Sequence, residues 1–154
     1  MNHYLKVFLL SMTPIIEQRG AIPVGFLYDM NPIYIFLVAF IGSLIPAPFI
    51  LLLFKKIYNY IRPKPFFRKL VNIIDNKIDR NKDSFIIKKE LALIIFVGLP
   101  LPTTGVWTGS AVAAFLGLDF KKSMLCVTIG AFISAVVITT LSFLIPGIFK
   151  AVML

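Results

Sequence analysis

The sequence predicts an all-α integral membrane protein with an inverted-topology repeat: a re-entrant helical hairpin plus a transmembrane helix, twice, with a cytoplasmic amphipathic helix between the halves. Three observations predict it. Hydrophobic residues make up 58% of the 154 residues and charged residues 15%, and the mean hydropathy is +0.90, far from a soluble globular composition. Two apolar stretches, 32–54 and 120–149, are long enough to cross a hydrocarbon core of ~30 Å, which takes about 20 helical residues. Each follows another apolar stretch, 4–28 and 91–118, that Pro, Gly and polar residues interrupt before it reaches that length.

In chain order, residues 4–28 are broken at Pro14, Glu17, Arg19, Gly20, Pro23 and Gly25. Proline removes a backbone donor and glycine permits close backbone approach, so a hairpin that enters and leaves on one side fits better than a straight span. The apolar run near Lys6 is short and lacks a small-residue cleavage site, so the segment is expected to stay in the mature protein. Asn31-Pro32 is a helix start, with Asn31 as cap and Pro32 at the first helical position. Ile33 to Phe54 then runs for 22 residues without a charge, and Ile45-Pro46-Ala47-Pro48 predicts a kink within it.

Residues 55–90 form a basic linker: it holds eleven of the sixteen Lys and Arg, against four acids. Phe67, Leu70, Val71, Ile74 and Ile78 recur there at helical spacing among basic residues, which predicts a surface-lying amphipathic helix. It reads either as a surface for anionic lipid or as a solvated connector. The second hairpin, 91–118, is interrupted by Gly98, Pro100, Pro102, Gly105 and Gly109. Asp119 is placed to cap the last helix, which Pro146-Gly147 interrupts late.

The whole chain reads as one membrane domain, with repeat one at 4–54 and repeat two at 91–150. If 91–118 crossed the bilayer once, Lys121 and Lys122 would lie opposite the basic linker, against the bias of Lys and Arg toward the cytoplasmic side. A re-entrant second hairpin keeps the linker and both lysines cytoplasmic, in a multi-pass protein of the cell membrane. A shift of 88 residues sets Pro14 over Pro102 and gives six identities in the thirteen positions from Ile41 to Leu53, Gly42 over Gly130 among them. Inverted repeats whose interrupted segments meet near the midplane recur in transporters.

Glu17 is the carboxylate that the apolar part must shelter, and an ionisable group at bilayer depth costs at least ~2.5–3.5 kcal/mol. Desolvation and a nearby cation pull its proton affinity in opposite directions, which suits a group that loads and releases a proton near neutral pH. The structural alternatives are an ion pair with Arg19 and snorkelling to the interface. Arg19 offers a fixed charge and a planar fork for phosphate or carboxylate, or else serves as counter-charge to Glu17. Thr103, Thr104 and Thr108 are substrate ligands or satisfy carbonyls freed by the prolines. Trp107 stacks on a substrate or belongs to an interfacial aromatic belt.

The formal charge of +9 does not point to nucleic acid, because the basic residues concentrate in the linker. No Walker loop, Gly-x-Ser-x-Gly or histidine cluster is present, so neither an enzyme nor a bound metal or cofactor is expected. Cys126, the single cysteine, reads as a small buried hydrophobe. The expected partners are membrane lipid and a small amphipathic or lipid-linked substrate, and the small size leaves room for a homodimer.

Glu-x-Arg-Gly-Ala-Ile-Pro-x-Gly at Glu17 to Gly25, with Gly-x-Pro-Leu-Pro-Thr-Thr-Gly-x-Trp-Thr-Gly at Gly98 to Gly109, resembles the small multidrug export protein family over nearly the whole chain. That family is distantly similar to the DedA superfamily, whose members pair two re-entrant hairpins. The resemblance implies proton-linked translocation of lipid carriers such as undecaprenyl phosphate. The DedA pattern has Gly-Pro-Arg in its second hairpin; this chain has Thr103 and Thr104, with no arginine from Gly98 to Gly109. The leading expectation is a proton-coupled secondary transporter or lipid flippase for an anionic substrate. The alternatives are a small multidrug exporter of cationic drugs and a non-transporting membrane scaffold.

Overall fold

The computed structural model describes residues 2–61, 63, 83–101 and 104–152, and every regular element among them is an α-helix. The expected amphipathic helix at Phe67 to Ile78 lies outside the described residues, as do Pro102 and Thr103.

The first half opens with α1 (His3–Met12), capped by Asn2, whose side chain accepts the Tyr4 N–H at 3.2 Å. It stops before Pro14, and the Thr13 hydroxyl donates to Leu10 O at 2.7 Å, satisfying an orphan carbonyl of the last turn. After this break comes α2 (Glu17–Leu27), which packs against α1. At about 1.5 Å per residue the two helices are each about half as long as the hydrocarbon core is thick.

The next start signal is local chemistry and behaves as read: Asn31 accepts the Ile33 N–H at 3.0 Å, and Pro32 occupies the first turn of α3 (Pro32–Leu44). The expected kink is present as a one-residue interruption at Ile45 before α4 (Pro46–Ile61). Pro46 cannot donate to the Gly42 carbonyl, which accepts instead from Ile45 N–H at 3.3 Å, a tighter turn.

The second half holds α5 (Asp83–Gly98), α6 (Val106–Phe115) and α7 (Phe120–Val152). Three boundaries differ from expectation. α4 continues to Ile61 and α5 begins at Asp83, so both helices reach into the basic stretch 55–90. The last helix runs through Pro146-Gly147, since losing one bond costs less than opening the backbone in an apolar setting.

Among the described residues two helical stretches are long and apolar enough to cross a membrane: 32–54, with mean hydropathy 2.5, and 120–145, with 2.3. Only 39% of the 18-residue apolar window in each is buried, whereas a core helix of a soluble protein is mostly buried. The outward faces carry Leu37, Ile41, Phe49, Leu125, Phe132 and Phe143. Membrane association follows from this exposed apolar surface.

The halves interlock. α1 packs on α3 and α5 on α7, while α2 also crosses to α7, and α6 crosses to α4. The inner faces use small residues, with Ala39, Ala47, Ala131 and Ala135 all fully buried, as close packing between apolar helices requires. Gly42 faces Ser11 and Phe8 of α1, and Gly130 faces Val97 and Ile94 of α5. The two glycines aligned by the 88-residue shift thus each stand at a helix crossing. Cys126 is buried in the core built on Leu93, Val97 and Val127, as expected of a small hydrophobe.

Candidate functional site

The break between α1 and α2 meets the loop between α5 and α6 around a cavity of about 400 Å³, lined by Pro14, Glu17, Arg19, Pro100, Gly105 and Thr108, with Ile15 and Ile16 at its edge. Pro14 ends α1, and the Glu17 N–H returns to Thr13 O at 3.0 Å to start α2. Glu17 begins α2 at φ 46°, in the left-handed region, which costs a residue with a side chain roughly 1–2 kcal/mol. That backbone aims the carboxylate out of the hairpin, toward the other half.

Its target is the start of α6. The Trp107 N–H donates to Glu17 Oε1 at 3.1 Å, and Glu17 is only 6% exposed. The capping position of α6 is Gly105, which has no side-chain acceptor to offer. Thr108 supplies half of a capping arrangement by accepting the Gly105 N–H at 2.9 Å. Glu17 supplies an acceptor from the opposite half, where the positive end of the helix dipole favours a carboxylate. The N-terminus of a broken segment carries the positive potential that interrupted helices place in transporters.

Arg19 does not pair with Glu17 within salt-bridge distance; among the described residues the ion pair on hand is Lys122 with Glu90, at 3.0 Å. Instead Arg19 Nη2 donates to Leu99 O at 3.1 Å, and its Nε is buried with no hydrogen-bond partner. The guanidinium is thus held at the cavity by one neutral carbonyl, its charge unmatched there by a carboxylate bridge. The reading of Arg19 as a counter-charge in direct contact with Glu17 does not hold.

Thr104 donates to Leu99 O at 2.8 Å and lies 3.1 Å from Leu101 O, which is the role of satisfying carbonyls freed in a proline-rich loop. Thr108 is exposed and lines the cavity, so the structure brings it to the site with Glu17 and Arg19. The Trp107 indole N–H donates to Met12 O at 3.0 Å, fastening the second half to the end of α1. Trp107→Phe should lose that bond, worth about 1 kcal/mol, and lower Tm by about 2–4 °C. Thermal unfolding in detergent measures it.

Several residues expected to break the hairpins do not. Gly20, Pro23 and Gly25 lie inside α2 and Gly109 inside α6, whereas Gly98 ends α5 beside the break. The helices break instead at 13–16 and after Gly98, where Pro14 and Pro100 stand. Gly25 and Gly109 serve packing instead, with Ile35 and Val97 against them.

Sequence reasoning passed over Gln18, which is 2% exposed. Its Nε2 donates to Ala131 O of α7 at 2.9 Å, and its Oε1 accepts from the Ser43 hydroxyl of α3 at 3.2 Å. The signal was available, because an amide in an apolar helix must find partners inside the protein. Gln18 anchors α2 to both long helices while its neighbours Glu17 and Arg19 face the cavity.

A family model described as Putative small multi-drug export protein matches residues 17–137 of the chain. No curated protein and no solved structure matches it.

Proposed function

The chain belongs to the family described as Putative small multi-drug export protein, and from that premise we propose a secondary membrane transporter or lipid flippase, proton-coupled and DedA-like, for an anionic amphipathic or lipid-linked substrate. The observation that carries this reading is one cavity, inside an apolar helical protein, shared by a carboxylate and a guanidinium that form no salt bridge with each other. In this reading Glu17 takes up and releases the proton. Arg19 contacts the anionic group, since its fork is held by a single neutral carbonyl. Thr108 is the hydroxyl nearest to hand for the same group.

We read α1–α2 and α5–α6 as re-entrant hairpins of opposite orientation. The arms of 10 and 11 residues in the first are too short to span. The exchange of α2 and α6 onto the long helices of opposite halves supports the repeat, as does the matching of Gly42 with Gly130. The bias of Lys and Arg then places the linker with Lys121 and Lys122 on the cytoplasmic side. The cavity is of a size that holds a head group or a small amphipath, so a long lipid tail would remain in the bilayer.

The test is transport of an isoprenyl phosphate into proteoliposomes under an imposed pH gradient. Arg19→Gln should raise the apparent KM by roughly 10- to 100-fold, the loss of a charge-assisted contact. An unchanged KM removes Arg19 from the substrate site. Uptake of a quaternary ammonium dye that depends on Glu17 would favour a cationic drug exporter, against the repulsion expected from Arg19. Activity lost on deleting 62–82 with the cavity intact would favour a scaffold.

A further inference from the structure

We propose that Gly105 is a positioning residue for Glu17: by lacking a side chain it leaves the space through which the carboxylate of the first half reaches the first turn of α6. The backbone of Gly105 does not need glycine. Its φ of −155° and ψ of −166° are extended values that any residue adopts. Space needs it. A Cβ built at Gly105 would coincide with the Glu17 carboxylate, meeting Oε2, Cδ and Oε1 as its three nearest atoms. At Gly98 of the same motif, by contrast, a Cβ would find ordinary contacts of 3.5–3.6 Å.

The pair carries consequences for both halves. With no side chain of its own, Gly105 cannot cap α6, and the carboxylate occupying its missing side chain's place reaches the Trp107 N–H. Glu17 and Gly105 stand 88 residues apart, the offset that relates the two repeats. The corresponding positions of the halves therefore meet, acid against void. Arg19 is the charged group sharing the cavity with this contact; α1, α6 and the α5–α6 loop bring no charged side chain to it, and Lys6 of α1 lies over the Tyr28 ring. On the transporter reading above, which the second readout below uses, the seat fixes where the proton-carrying group stands relative to Arg19.

The test is a double-mutant cycle of Gly105→Ala and Glu17→Ala on the full chain, read first by thermal unfolding in detergent. Gly105→Ala should lower Tm by about 2–8 °C in the presence of Glu17, from the lost cap and the forced shift. It should change Tm by less than about 1 °C in the Glu17→Ala chain, where the space is empty. If Gly105→Ala alone does not yield folded protein, recovery of folding in the double variant supports the seat equally. Equal losses in both backgrounds, or failure of both to fold, overturn it. The second readout is the pH profile of isoprenyl phosphate transport. Its midpoint should move in Gly105→Ala, while a purely structural glycine would scale the rate and leave the midpoint in place. A coupled cycle in a parent chain that transports nothing would sink the transporter reading and leave the seat standing.

Discussion

Glu17→Gln is expected to reduce proton-coupled transport to the background of empty vesicles while the protein stays folded. The substitution is nearly isosteric, and the amide oxygen of glutamine can still accept the Trp107 N–H that Glu17 accepts at 3.1 Å. What disappears is a group that binds a proton in one step and gives it up in the next. A positioned acid or base is typically worth 10²–10⁴-fold in rate, so the residual signal should fall below detection. The measurement pairs substrate uptake with a pH-sensitive dye inside proteoliposomes, beside a thermal unfolding curve for each variant. Unchanged proton-linked uptake by a folded Glu17→Gln protein would reject the assignment. Loss of uptake with loss of folding would show the cap to be the larger role, a result that Glu17→Ala would then reproduce.

The largest expected effect on folding lies away from the cavity, at the two glycine crossings. A Cβ at Gly130 would stand 2.7 Å from Val97 Cβ and 2.9 Å from Ile94 O; at Gly42 it would meet the Ser11 hydroxyl and Phe8 O, the latter at 2.9 Å. Backbone atoms cannot rotate away as a side-chain tip can, so the paired helices must separate. Gly130→Val and Gly42→Val should each cost about 1–3 kcal/mol, seen as a Tm lower by about 2–12 °C. Gly98→Ala is the internal contrast, with only ordinary contacts to meet, and should leave Tm nearly unchanged. Equal losses at all three positions would mean that helix crossing distance is not what these glycines set.

Much of the fold was legible because it depends on local chemistry. Asn31 and Pro32 start a helix wherever they stand together before an apolar run. Pro14 ends a helix because the residue before a proline is turned away from the helical region. Pro23, by the same rule, should have ended α2 and did not, since neighbouring helices hold α2 from both sides through Gln18. Helix ends within 55–90 were not legible for a related reason: charge marks where a chain is wet, and helices continue into water.

The site was legible in its members more than in its contacts. Glu17, Arg19 and Thr108 do line one cavity, as two polar motifs in an apolar chain suggested. The pairing of Glu17 with Arg19, two residues apart, was the natural guess from spacing and is not made. Thr104 bonds the carbonyls of its own loop, one of the two roles read for it, while the indole bond of Trp107 to Met12 O depends on how the halves pack.

By itself the sequence determined an apolar, all-helical chain with two membrane-length helices and two proline-broken stretches, because hydropathy and helix ends are set within a few residues of each position. Only the tertiary structure decided that Glu17 answers to an amide 90 residues away and that Gly105 makes room for it. A helix end belongs to the fold rather than to any motif, and which charged group it meets depends on how the two halves pack.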